Sequence, residues 1–265
     1  MHTESVQQSA SAVSPRDKFL TVYGRKPVLE ALADPALEVD KVVLADNAGG
    51  QQVSEILRSA RDADVAVERA SAHRVKVLAG NGKQDQGVLA DVLAPRMRPL
   101  RAALEETVPP RRVLVLDGVT TPANVGMILR TATAAGIDGI VVARRGVAKL
   151  DPLVVKASAG VAFRAPILRC GTAHEAAELL TTAGYPLFGL AGNQGRELFD
   201  ADLPTSAAFV LGAETTGVTA EVSGHISAWL TIPMPGPAES LNVAAAATVV
   251  CYELYRRDRP QSIST

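Results

Sequence analysis

Cysteine is scarce in this 265-residue chain: there are two, Cys170 and Cys251, far apart and outside any CxxC or Cys/His ligand spacing. That argues against a disulfide framework or a zinc site and leaves both as reduced core residues. The four histidines, at 2, 73, 174 and 225, are scattered. No run approaches the ~18 to 20 apolar residues that span a bilayer. The start, MHTESVQQSASAVSPRDK, lacks the basic opening and apolar centre of a secretion signal. Also missing are GxGxxG after a first strand, GxxxxGK[ST], and a GxSxG elbow, so a pyrophosphate turn, a P-loop and hydrolase chemistry are disfavoured. Net charge is only -1, which gives no global electrostatic sign of a nucleic-acid partner.

What is present is an ordinary globular composition, 47% hydrophobic and 21% charged, long enough for two domains. The expected layout is α/β throughout: a disordered leader 1–18, a small α/β domain 19–94, a linker 95–111, a larger parallel-sheet α/β domain 112–258, and a tail 259–265. The protein is expected to be cytoplasmic. In the small domain, RKPVLEALAD and QQVSEILRSARDA carry apolar residues at helical spacing. VDKVVLAD, DVAVERA and GVLADVL read as strands, and AHRVKVLAG as a short helix stopped by Gly80. The linker holds prolines 95, 99, 109 and 110, and the overlapping span 96 to 112 has five arginines against two glutamates. That basic excess fits either a solvated linker or an RNA contact.

From Arg112 onward strands and helices alternate, which implies parallel strands and ligands beyond their carboxyl ends. Three loops follow strands and could carry chemistry. In the first, Thr121-Pro122 opens a helix, threonine being able to cap and proline tolerated in the first turn. On a helical wheel Val125, Ile128, Leu129, Ala132 and Ala135 form one stripe and Arg130 falls opposite, beside Gly126 and Thr133. An arginine so placed is more often solvated than functional. In the second, FVLGAETTGVTAEV, Gly212 would let a ligand approach the backbone and Glu214 is a bare carboxylate. In the third, IPMPGPAESLNV, Pro233, Pro235 and Pro237 stiffen the backbone, and Ser240 is placed to cap the final helix. The result would be a rigid pocket of backbone donors and acceptors, suited to the edges of an adenine ring.

Taken in order, Asn124-x-Gly126-x-x-x-Arg130-Thr131-Ala132, Leu211-Gly212-x-Glu214-x-x-Gly217, and Ile232-Pro233-Met234 through Glu239-Ser240-Leu241-Asn242-Val243 resemble the SpoU (TrmH-type) family of RNA ribose 2'-O-methyltransferases in the SPOUT superfamily. Tyr23-Gly24-Arg25-x-Pro27-Val28-Leu29-Glu30-Ala31-Leu32 and Gln86-Gly87-Val88 resemble the RNA-binding domain that often precedes it. There the usual His-Gln-Gly stands as Asp85-Gln86-Gly87, a departure expected to leave the turn intact.

The resemblance implies a deep trefoil knot in the C-terminal domain, a homodimer, S-adenosyl-L-methionine as cofactor and RNA as partner, with no metal and no membrane. It assigns the cofactor to the backbone around Gly212, Ile232 and Leu241. It assigns catalysis to Asn124, Arg130, Glu214, Ser240 and Asn242. It favours 23S ribosomal RNA, with guanosine as one candidate; transfer RNA and an antibiotic-resistance modification of ribosomal RNA are alternatives. Outside this class stand a non-catalytic RNA-binding protein and an unrelated nucleotide-dependent α/β enzyme.

Overall fold

The computed structural model describes residues 18–79, 85–192, 195–237 and 239–259. The expected leader, the stop at Gly80 and nearly all of the expected tail lie outside these residues. The N-terminal part runs β1 (Phe19–Tyr23), α1 (Arg25–Ala33), β2 (Val39–Ala45), α2 (Gln51–Asp62), β3 (Ala66–Ala70), α3 (Ala72–Ala79) and β4 (Val88–Leu93). Its strands form a mixed sheet in the order β1-β4-β2-β3, with only β2 and β3 parallel.

The remainder runs β5 (Arg98–Pro99), α4 (Leu100–Leu104), β6 (Arg112–Leu116), α5 (Pro122–Ala134), β7 (Gly139–Val141), α6 (Pro152–Ala157), β8 (Ile167–Arg169), α7 (Ala173–Thr182), β9 (Leu187–Leu190), β10 (Arg196–Glu197), β11 (Ala207–Leu211), α8 (Ala220–Ser223), β12 (Ile226–Thr231) and α9 (Val243–Asp258). Eight strands order as β10-β12-β9-β11-β6-β7-β8-β5, every pair parallel. Strands β6 and β11 are buried along their whole length, as expected where helices cover both faces.

The segment 95–111 is not a plain linker. Within it β5 pairs with β8 at the sheet edge, and α4 buries Leu100 and Ala103. Its basic excess is partly structural: Arg98 pairs with Glu106 at 2.6 Å. Arg112, at the start of β6, is buried against Asp258 at the end of α9, with its Nη2 3.0 Å from Asp258 Oδ1. Both thiols are free and buried, and burial pushes each up to about 12, so neither is a nucleophile at neutral pH.

Strand β8 and helix α7 are not singled out by the sequence pattern. Strand β8 is three residues long and offers no period to read. Helix α7 did carry a signal, because Thr172 accepts from the Glu175 N–H at 3.1 Å, a cap three residues ahead of an acidic first turn. Among the described residues no helix is long and apolar enough to cross a membrane.

Candidate active site

Three separate loops meet at the side chain of Asn242. Its Nδ2 donates to Asn124 Oδ1 at 3.1 Å and to Glu214 Oε1 at 2.5 Å. Its Oδ1 accepts from the backbone N–H groups of Ala244 and Ala245 at 2.9 and 3.3 Å. One amide therefore caps α9 with its oxygen and joins the start of α5 to the turn after β11 with its nitrogen. The N–H of Val243 also reaches Glu214 Oε1, at 3.4 Å. With both Asn242 donors used, its orientation is fixed by the bonds it makes.

This corrects the expectation for Ser240. Helix α9 starts at Val243, and its cap is Asn242. Ser240 stands two residues before the cap, exposed, too far up the chain to reach the first free N–H groups of the helix. At the start of α5, Thr121 does occupy the cap position with Pro122 behind it, but its hydroxyl makes no capping bond.

Gly212 is also closely approached within the chain itself. A Cβ there would stand 2.2 Å from the Gly217 carbonyl carbon and 2.3 Å from Val218 N. What approaches Gly212 is thus the chain's own backbone. Residues 213 to 217 fold back on themselves, with Ala213 and Gly217 exchanging both backbone hydrogen bonds at 3.0 and 2.9 Å. Gly217 supplies the left-handed turn, at φ 69°.

Asp117, not among the expected residues, pins this turn from below. It is buried, and its Oδ2 accepts from the Thr219 N–H at 2.7 Å. Its own N–H donates to Leu211 O at 2.9 Å. The sequence signal was an acidic residue directly after the apolar strand RVLVL.

A cavity of about 380 Å³ opens beside these groups, bounded by Leu190–Gly192, Leu211–Gly212, Glu214, Ile232, Met234, Ser240 and Leu241. That is within the range of small-molecule sites. Gly212, Ile232, Leu241, Glu214 and Ser240 all line it, while Asn124 and Asn242 stand at its edge through Glu214. Prolines 233, 235 and 237 have no N–H, and no hydrogen bond among the described residues uses those of Met234, Ser240 or Leu241. The walls therefore combine apolar side chains with open backbone donors.

Arg130 is not drawn into this cluster. On α5 it lies six residues past Asn124, about 9 Å along the axis and roughly 120° around it. The wheel is right about both faces: Val125, Ile128, Leu129, Ala132 and Ala135 are buried and Arg130 is exposed. Among the described residues its guanidinium has no hydrogen-bond or ion-pair partner. Its neighbour Gly126 is buried against α6, where a Cβ would stand 2.5 Å from the Ala157 methyl. Elsewhere, Asp85 Oδ1 accepts from Gly87 N at 2.8 Å and Gln86 Oε1 accepts from Arg25 N at 3.0 Å, so the Asp-Gln-Gly turn holds.

An all-parallel α/β domain whose strand-end loops converge on one cavity, preceded by a small mixed-sheet domain, defines a two-domain enzyme architecture with its site at the sheet's carboxyl edge. Residues 111–252 match the SpoU rRNA methylase family and 21–98 match the RNA 2'-O ribose methyltransferase substrate-binding family; the chain belongs to the SpoU family. A 23S rRNA (guanosine-2'-O-)-methyltransferase RlmB of Xanthomonas axonopodis is 31% identical, over 89% of this chain and 96% of its own length. A solved structure from Porphyromonas gingivalis, named as an RNA methyltransferase of the TrmH family, is 31% identical and covers 92% of both chains with a TM-score of 0.62. The SpoU methyltransferase AviRb of Streptomyces viridochromogenes, in complex with AdoMet, is 26% identical and covers 91% of both chains with a TM-score of 0.60.

Proposed function

We propose that this protein transfers the methyl group of S-adenosylmethionine to a ribose 2'-hydroxyl of large-subunit ribosomal RNA, with guanosine as the target nucleoside, and acts in the cytoplasm. The observation that carries the reading is the junction at Asn242, which gathers one residue from each of the three loops beside a cavity of cofactor size.

The cavity suits the cofactor. Leu190, Leu211, Ile232 and Leu241 offer apolar surface to a ring, and the N–H groups of Met234, Ser240 and Leu241, unused among the described residues, offer donors to its acceptor edge. When bound, S-adenosylmethionine supplies a methyl on a positively charged sulfur, open to in-line displacement by oxygen. The protein's part is alignment and proton handling. Glu214 is the only carboxylate lining the cavity among the described residues, and Asn242 holds one of its oxygens, leaving the other to take the hydroxyl proton. Ser240, exposed at the rim, is a hydroxyl partner for the ribose. Arg130, exposed on α5 with a planar fork of donors, grips the phosphate beside the target ribose.

Two further parts of the reading follow. The segment from β12 to α9 forms the trefoil knot of the family; in support, Thr231 Oγ1 donates to Gly192 O at 3.0 Å, and a Cβ on Gly192 would stand 2.9 Å from Glu239 O. The protein works as a homodimer through α5 and α9, whose outward faces expose Met127, Tyr252 and Tyr255. Such a grouping of large apolar side chains marks an interaction surface.

The direct test is transfer of tritiated methyl from S-adenosylmethionine to deproteinised 23S ribosomal RNA, followed by digestion to nucleosides. Label on 2'-O-methylguanosine is expected; label on a base, or none, would overturn the proposal.

A further inference from the structure

A second basic stretch lies outside residues 96 to 112. From 130 to 164 the chain carries six basic residues, Arg130, Arg144, Arg145, Lys149, Lys156 and Arg164, against two acidic ones, Asp138 and Asp151. Both acids are committed to backbone: Asp138 accepts from the N–H groups of Arg111 and Arg112, and Asp151 caps α6 through Leu153 and Val154. Neither neutralises a neighbour. Arg145, Lys149 and Lys156 are exposed, and among the described residues none of their side chains has a hydrogen-bond or ion-pair partner. Glu175, which stands with Arg145 beside Gly171, accepts from the Gly171 N–H at 2.7 Å.

Their places in the fold form a path. The sheet order sets the cavity at β9, β11 and β12 and Asn124 after β6; the loop after β7 comes next along the same carboxyl edge. That loop carries Arg145 and Lys149 and is fastened by Ala148 N to Val119 O, 3.0 Å, to the loop that leads into α5 and Asn124. Three residues past Lys149, α6 begins, and Pro152, Leu153 and Lys156 line a second cavity. This one holds about 700 Å³ and lies between α6 and the N-terminal domain, whose Tyr23, Lys26, Glu30 and Gln86 form its other wall. Cations without a side-chain partner among the described residues, leading from a reaction centre to a cleft lined by Tyr23, Leu153 and Phe163, are the electrostatic footprint of a phosphodiester chain with a place for a base beside it.

We infer that Arg145, Lys149 and Lys156 form a phosphate track that carries the RNA strand from the catalytic surface into the cleft between α1 and α6, where an unpaired nucleotide flanking the target is held. This rests on the reading of the protein as an RNA methyltransferase. Phosphate contacts fix the register of the strand and carry no base information, so the cleft is where a flanking nucleotide is tested.

The test is binding of the full-length protein to deproteinised large-subunit ribosomal RNA over a series of salt concentrations. The triple variant Arg145→Gln, Lys149→Gln, Lys156→Gln should bind at least about 10-fold more weakly at moderate salt. Its slope of log affinity against log salt should fall by about 2, from ~0.7 per phosphate contact on single strands. Leu153→Trp, which fills the mouth of the cleft, should weaken RNA binding without changing the salt slope. Arg101→Gln, on α4, should match wild type, and all variants should bind S-adenosylmethionine as wild type does, which shows that they are folded. Wild-type affinity and slope in the triple variant would overturn the track, and wild-type affinity in Leu153→Trp would overturn the cleft as its end. A wild-type protein that binds this RNA with the expected slope but methylates none would instead contradict the proposed activity.

Discussion

Asn242 and Asn124, 118 residues apart in the chain, meet side chain to side chain at 3.1 Å. The same Asn242 nitrogen also reaches Glu214, and the Asn242 oxygen caps α9. Capping and site assembly thus reside in the two halves of one amide, and substitution can separate them.

Asn242→Asp keeps a capping oxygen and removes the donor, placing a second carboxylate beside Glu214. Methyl transfer should fall by about 100-fold, the scale of a misplaced reacting group, while thermal stability stays close to wild type. Asn242→Ala loses the cap as well and should cost an additional ~1 kcal/mol in denaturant unfolding. Equal stability loss in the two variants would contradict this division.

Gly212→Ala should damage the turn rather than crowd the cofactor. Its new methyl meets the backbone of Gly217 and Val218, so the melting temperature and S-adenosylmethionine affinity should fall together. Calorimetry showing lost affinity with unchanged thermal stability would mean that the methyl obstructs only the ligand.

Asp117→Ala strands the Thr219 N–H, and unfolding in urea should show a loss of about 1 to 3 kcal/mol. Asp117→Asn retains an acceptor and should recover most of that. Failure of Asn to recover it would point to the charge rather than the hydrogen bond.

Glu253 predicts the acid limb of stability. It is buried on α9 between Arg256 and Arg257, with contacts at 2.8 and 2.6 Å. The Arg256 hydrogen bond first, then that of Arg257, holds its carboxyl below the usual glutamate range against the opposing effect of burial. Below the unfolded carboxyl's titration the unfolded chain binds the extra proton first, so stability rises with pH through that window. The contribution is complete above the ordinary glutamate range and is lost as pH falls through the depressed folded value. Glu253→Gln should flatten this part of the stability–pH curve; an unchanged slope would exclude the pair as its source.

Much of this was legible in residue pattern because much of it is local. The wheel of α5 separates Arg130 from the buried stripe correctly, since amphipathicity is a property of one helix. What failed depends on the partner across space. Ser240 is as good a cap by type as Asn242, and only the position of Asn124 and Glu214 decides between them. Arg112 counts as linker charge in sequence and as a buried ion pair with Asp258 in the fold, a contact set by sheet order. Asp117 follows a strand without any motif of its own, so its link to Thr219 emerges only when β6 and β11 lie side by side.

The central claim, ribose methylation of ribosomal RNA, is tested most directly by mapping 2'-O-methyl groups across total RNA from cells with and without the protein. The account predicts loss of methylation at a defined guanosine of 23S ribosomal RNA, restored by the wild-type protein and not by Arg130→Ala, which still binds S-adenosylmethionine. An unchanged map, or a restored mark in the Arg130→Ala strain, would contradict it.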